Sequence, residues 1–242
     1  FFAYTTNYLI DTDHSVIVDV EGTRSIRQPE VRSVRTMLDR IKYRHDIDPE
    51  RLIADRAYGS GPMLGWLVGR KINPQLPVLD KASRTDGTWG REDFAWGPEG
   101  DQHICPEGAA LKQFRRNYSD PNRGPDGKGV AKYRALKLTC QVCSSKAKCC
   151  PNADFRSITR EEHEDARQVA RDISKTKQYA VSMRLRKKVE MLFAHLKRIL
   201  GLGRLRLRGP CGANDEFLLG ATAQNLRKLA KIFPAPQQTR TA

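Results

Sequence analysis

A stretch without hydrophobic periodicity, from about residue 80 to 156, interrupts this 242-residue chain and limits what the remainder can fold into. Ahead of it, strand and helix signals alternate. Tyr4, Tyr8, Leu9 and Ile10 precede a turn at Asp11-Thr12-Asp13-His14, and Val16-Ile17-Val18-Asp19-Val20 follows, which predicts a hairpin over residues 1–22. Pro29 suits the first turn of a helix, and Val31, Val34, Leu38 and Ile41 recur at helical spacing to about residue 44. Leu52-Ile53-Ala54 reads as a buried strand that delivers Asp55 to the turn Arg56–Gly61. A helix is expected over Pro62–Val68, then a strand at Leu76-Pro77-Val78-Leu79, where Pro77 favours an edge or a strand start. Such alternation predicts an α/β layer architecture.

Residues 80–156 are rich in Gly, Pro, Asp and Arg and hold five of the six cysteines, so they read as an inserted cysteine-rich subdomain. The expected organisation is then 1–79 as the first part of a core, 157–233 as its C-terminal helical part, and 234–242 as a tail. Thr159 with Glu162 fits a capping box that opens a helix through the 160s. A second helix is expected from about Tyr179 to Leu200, ending at Gly201-Leu202-Gly203. An amphipathic helix follows from about Asp215 to Ile232, closed by Pro234.

Charge narrows the function. Lys and Arg total 43 against 28 Asp and Glu, a net charge of +15, so a polyanion and above all nucleic acid is the expected partner. No apolar run approaches the length of a membrane span, and no basic-then-apolar signal segment opens the chain. A reducing, cytoplasmic setting is therefore expected, in which clustered cysteines bind metal rather than form disulfides. The chain begins Phe1-Phe2, as expected of a processed chain or a fragment.

Asp55 stands where a strand end meets a turn; it reads either as a cap of the next helix or as part of a polar site. Between Arg184 and Arg208 there are nine basic residues and a single acidic one, Glu190. On a helix, Arg186, Glu190 and Lys197 fall within about 40° of one another, beside the apolar stripe Val189, Leu192, Leu196, Ile199 and Leu200. Glu190 is either half of an intrahelical ion pair with Arg186 or a metal-binding carboxylate whose basic neighbours hold phosphates. Arg204-Leu205-Arg206-Leu207-Arg208, if extended, sets three guanidiniums on one face; if helical, it is a solvated face. The flanking Gly203 and Gly209-Pro210 favour the extended form. Cys140-x2-Cys143-x5-Cys149-Cys150, with Cys105 upstream, offers four thiolates for a closed, structural zinc site. Either Cys149 or Cys150 would complete the set, and His103 is an alternate ligand. The other histidines, His14, His45, His163 and His195, read as solvated or packed.

These residues resemble the DDE transposases of bacterial insertion sequences. The resemblance is carried by Asn7-Tyr8-Leu9-Ile10-Asp11-Thr12, by Ala54-Asp55-Arg56-Ala57-Tyr58-Gly59-Ser60, and by the run Arg186 to Arg198 followed by Arg204 to Pro210. Ala223 to Lys228 is of the family's kind as well. The resemblance implies a ribonuclease-H-like core, incomplete at its N-terminus. In that core three carboxylates hold two Mg²⁺ or Mn²⁺ ions for in-line attack on a DNA phosphate. Asp55 matches the second Asp, and Glu190 the Glu, of a helix motif that Arg186 and Lys197 also fit, with Met183 standing where the motif has Tyr.

The family's first Asp belongs to a strand preceding the hairpin, so it is expected upstream of Phe1 and is assigned to neither Asp11 nor Asp13. As given, the chain is expected to be a C-terminal, catalytically impaired part of a transposase. Its partners would be double-stranded DNA at transposon ends and target, with a homodimer in the DNA complex. Arg184, Lys187, Lys188 and Arg198, with Arg204, Arg206 and Arg208, are the expected contacts to the phosphate backbone. The competing expectation is a non-catalytic, zinc-stapled nucleic-acid-binding protein.

Overall fold

A computed structural model describes residues 4–25, 29–79, 86–114 and 129–233. The opening Phe1-Phe2, the expected stop at Pro234 and the tail lie outside these residues. The fold is mixed α/β, and the residues group into two compact units. One lies within Phe1–Tyr58, Leu67–Pro77 and Ala170–Ala242, the other within Gly59–Trp66 and Val78–Val169.

The first unit opens with the expected hairpin, β1 (Tyr4–Asp11) against β2 (Val16–Arg24). A bulge leaves Val18 without a partner, because Leu9 opposes Asp19 while Ile10 opposes Ile17. Helix α1 (Pro29–His45) follows, with Val34, Met37, Leu38 and Ile41 buried. β3 (Arg51–Ile53) then pairs in parallel with β4 (Asn73–Gln75). The second strand of this pair therefore lies ahead of the expected Leu76–Leu79. Its Pro74 is tolerated because β4 pairs on one side only. Between β3 and β4 runs α2 (Gly61–Gly69), whose first part to Trp66 belongs to the second unit; its Met63, Leu64 and Leu67 are buried.

Two long helices complete this unit. α6 (Lys177–Arg198) is opened by Thr176, whose Oγ1 accepts the Tyr179 N–H at 3.2 Å. Of the expected stripe, Leu196 is buried, whereas Ile199 lies beyond the helix end and is 63% exposed. α7 (Gly209–Ile232) starts six residues before the expected Asp215, with Pro210 in its first turn. It packs Ala213, Phe217 and Ala221 against Ile17 and Val20. The opposite face of β2 turns Asp19 and Glu21 to Arg40 of α1, each at 2.8 Å, so a helix covers each face of the hairpin.

The second unit contains a sheet where no periodicity was legible. Strands β5 (Ala95–Gly97), β6 (Gln102–Ile104), β7 (Ala110–Gln113), β8 (Val130–Arg134) and β9 (Ser157–Glu161) form an antiparallel meander. Segments of three to five residues are too short to display a period. Thr159 is not a helix cap: it sits in β9 opposite Lys132, and α5 (Glu164–Ser174) opens later, with Glu164 and Asp165 in its first turn. Short helices α3 (Lys137–Gln141) and α4 (Lys146–Cys149) lie between β8 and β9 and carry Cys140 and Cys149. No described helix is long and apolar enough to cross a membrane.

Candidate active site

A cavity of about 990 Å³ in the first unit is lined along one side by β1 and along another by β3, and it receives Asp55, Arg186, Glu190 and Lys197. Asp55 follows the end of β3 and serves as a cap: its Oδ1 accepts the Ala57 N–H at 2.8 Å and holds the single 3-10 turn Arg56–Tyr58. That bond orients the side chain and leaves it exposed at the cavity. The capping reading and the polar-site reading of Asp55 thus describe the same geometry.

Glu190, Arg186 and Lys197 reach the cavity from one side of α6, as their spacing predicts. Tyr8 and Phe193 fix that helix against β1, with ring centroids 5.2 Å apart. The Arg186–Glu190 ion pair exists but is loose, at 3.9 Å, and Glu190 is 67% exposed. A pair so long and so wetted contributes little to stability and leaves the carboxylate available. Arg184, Lys187, Lys188 and Arg198 are exposed on α6 and do not line the cavity.

Asp11 and Asp13 also border the cavity. Burial pushes the Asp11 carboxyl up, but the Asp13 N–H and the His14 imidazole at 2.6 Å outweigh it, and the group lies below its ordinary value. Asp13 meets Arg51 at 3.7 Å. Arg51 was not legible as part of this cavity, since a basic residue at a strand start carries no signal of its own.

The segment Arg204–Arg208 is non-helical and pairs in no strand. It forms bends between α6 and α7, because the Glu216 carboxylate of α7 accepts the N–H groups of both Arg206 and Leu207 and holds them at its own helix. Leu205 packs inward while Arg204, Arg206 and Arg208 are exposed, so the guanidiniums face solvent without a strand's regular alternation.

In the second unit Cys105, Cys140, Cys143 and Cys149 line a cavity of about 280 Å³. Cys150 is buried beside it and Cys211 stands apart, exposed on α7. The turn Cys105–Gly108 closes with the Gly108 N–H on the Cys105 carbonyl at 2.8 Å, and the Ala109 N–H points at Cys105 Sγ from 3.2 Å. Burial, then the neighbouring Cys150, pushes the Cys149 thiol up to about 12, against the pull of Arg156. Arg156 was not legible as part of this region. It is buried, donating to the carbonyls of Cys149 at 2.9 Å and Trp89 at 2.8 Å. His103 is placed elsewhere, between the rings of Trp96 and Tyr133, where burial and then Arg91 and Arg160 lower it to about 4.

Among the described residues no group of three or more His, Cys, Asp and Glu is gathered to hold a metal. Asp55 and Glu190 nevertheless share one cavity and supply the hard oxygen donors that Mg²⁺ or Mn²⁺ takes, with water and substrate phosphate as the usual remaining ligands.

Comparison with known families gives a match of residues 104–230 to the family described as transposase DDE domain. This spans just over half of the chain and includes the cysteine cluster, α6 and most of α7. No curated protein and no solved structure matches significantly.

Proposed function

The chain belongs to the transposase DDE-domain family, and from that premise we propose that it is the catalytic part of a DNA transposase with a ribonuclease-H-like core. In this reading Asp55 and Glu190 are two of its metal-binding carboxylates. The observation that carries the proposal is the convergence of Asp55, Glu190, Arg186 and Lys197 on one cavity from two elements far apart in sequence.

Each side chain has a part in the chemistry. Arg186 and Lys197 line the same cavity as the two carboxylates and would present positive charge to an entering DNA phosphate. Asp55, pinned by the Ala57 N–H, keeps one oxygen direction fixed. Glu190, weakly paired, is free to turn. A divalent cation held by these carboxylates would supply Lewis acidity toward the phosphate and stabilise its developing charge. Arg204, Arg206 and Arg208, with the exposed basic residues of α6, are proposed to follow the sugar–phosphate backbone of double-stranded DNA. The cysteine-lined cavity is proposed as a structural zinc site drawing on Cys105, Cys140, Cys143 and Cys149. Its support is the shared cavity and the sulfur-directed N–H of Ala109, and the thiols would close on the ion as it binds.

The test is DNA cleavage with Mg²⁺ by the full polypeptide, with Glu190→Gln and Asp55→Asn beside it. Each substitution is expected to lower cleavage by more than about 100-fold, the scale of losing a transition-state contact, while DNA affinity is kept. Cleavage that survives both substitutions overturns the assignment. Binding without cleavage by the unsubstituted protein favours the zinc-stapled, non-catalytic reading.

A further inference from the structure

The β5–β9 sheet has two unlike faces. On one, Leu111, Tyr133 and Ile158 are buried in the core of the second unit. Side chains alternate along a strand, so the neighbours of these residues point to the other face. Register runs one row straight across it: Gly97, Gln102, Lys112, Arg134 and Ser157 stand opposite one another in turn. The next row holds Phe114, whose N–H donates to the Lys132 carbonyl at 2.7 Å, then Lys132 and Thr159. Lys112, Lys132 and Thr159 are exposed.

Lys112 and Arg134 are thus directly opposed cations, an arrangement that destabilises a sheet, whereas a cation opposite a carboxylate stabilises it. The sheet does little to balance this charge. Glu161 is the single acidic residue in the five strands, and it already pairs with Arg167 at 2.6 Å. Neither Lys112 nor Lys132 meets a carboxylate among the described residues.

Arg134 is also held in one orientation. Its guanidinium lies 3.5 Å from the centroid of the Phe114 ring and 5.1 Å from that of Phe155, which packs on the core. Stacking engages the flat side of a guanidinium, while its donors lie in the plane and match a phosphate as a fork.

We infer that this face of the β5–β9 sheet is a DNA-binding surface separate from the candidate active site, on which Lys112, Lys132 and Arg134 receive the sugar–phosphate backbone. Charge selects the partner: a bound polyanion screens the repulsion between Lys112 and Arg134 that the sheet itself leaves standing. That the polyanion is DNA rests on the proposed reading of the chain as a transposase. The surface itself rests on strand register and involves neither the 990 Å³ cavity nor α6. Phosphate contacts carry no sequence information, so binding here is equal for unrelated duplexes.

The test is duplex DNA binding by the full polypeptide, read by fluorescence anisotropy at several salt concentrations, with urea midpoints of the same variants. Lys112→Gln and Lys132→Gln are each expected to reduce the slope of log K against log salt by about 0.9, and to weaken binding about eightfold near 0.1 M salt. Arg44→Gln, an equal loss of charge at an exposed position of α1, measures the effect of net charge alone. Lys112→Glu sets a carboxylate opposite Arg134 and is expected to raise the urea midpoint while weakening binding further. Lysine variants that bind no worse than Arg44→Gln, or a Lys112→Glu midpoint that does not rise, overturn the inference. Binding that depends on these lysines without any cleavage supports the surface and counts against the catalytic assignment alone. No binding of duplex DNA by the unsubstituted protein overturns both.

Discussion

Asn225 pairs with Ile17 as one strand pairs with another: its Oδ1 accepts the Ile17 N–H at 2.9 Å and its Nδ2 donates to the Ile17 carbonyl at 2.8 Å. Three helical turns earlier, Asn214 meets Gly22. Eleven helical residues rise about 16.5 Å and five strand residues about the same, so the two amides keep step with the edge they cover. The Gly22 position is close-packed, since a Cβ there would lie 3.3 Å from the Asn214 main chain.

Removing the Asn225 amide leaves both Ile17 groups without their partner. Asn225→Ala is expected to destabilise the first unit by about 1–3 kcal/mol, the cost of unsatisfied buried polar groups. Asn225→Asp, which sets a carboxylate against the Ile17 carbonyl, should cost at least as much. Urea denaturation followed by circular dichroism measures both, and wild-type midpoints would remove the amide from the account of the fold.

Burial of His103 is expected to make the second unit acid-sensitive. Its folded value near 4 lies below the ordinary imidazole value of about 6.5. Between those values the unfolded chain binds a proton that the folded chain refuses, so stability is fully present above about pH 6.5 and is lost as pH falls. His103→Phe, which keeps a ring between Trp96 and Tyr133, should flatten that acid limb by on the order of 1–2 kcal/mol at pH 5. Urea midpoints at pH 7 and 5 decide the matter, and an unchanged acid limb would exclude His103 as its source.

The exposed arginines of the α6–α7 connection should show in the salt dependence of DNA binding. Replacing Arg204, Arg206 and Arg208 by Ala is expected to reduce the slope of log K against log salt by about 0.9 for each DNA phosphate that is no longer neutralised. The reduction should be equal for unrelated duplex sequences. Fluorescence anisotropy at several salt concentrations reads the slope, and an unaltered slope would assign phosphate binding to other residues.

Zinc content tests the cysteine cavity. The purified protein should carry about one Zn²⁺ per chain, lost together with thermal stability in Cys140→Ser and Cys143→Ser. Cys211→Ser, at an exposed position outside the cavity, should change neither. Metal analysis by mass spectrometry that finds no zinc in the intact protein overturns the zinc assignment.

The parts legible in the sequence were those with long patterns. α6 was readable because its periodicity runs through many turns, and Arg186, Glu190 and Lys197 of that helix line one cavity. The hairpin was readable from β-branched density on either side of a polar turn. The β5–β9 meander was not, because each strand is too short to show its alternation. Thr159 misled because a capping box is a four-residue pattern, and β9 had a stronger claim on that Thr through pairing with β8. That Asp55 and Glu190 meet in one cavity could not be read from local spacing, since 135 residues separate them. Only the resemblance joined them before the structure did.

Among the described residues β1 pairs with β2 alone, and this sets a timetable for synthesis. Arg51 comes 40 positions after Asp11, so a ribosome adding about 5–20 residues per second needs about 2–8 s between finishing β1 and starting β3. Through that interval the nascent hairpin exposes unpaired main chain on both edges, since α7 and its asparagines emerge far later still. Order of emergence, as much as final packing, therefore bears on whether this chain reaches its fold or joins its neighbours on the polysome.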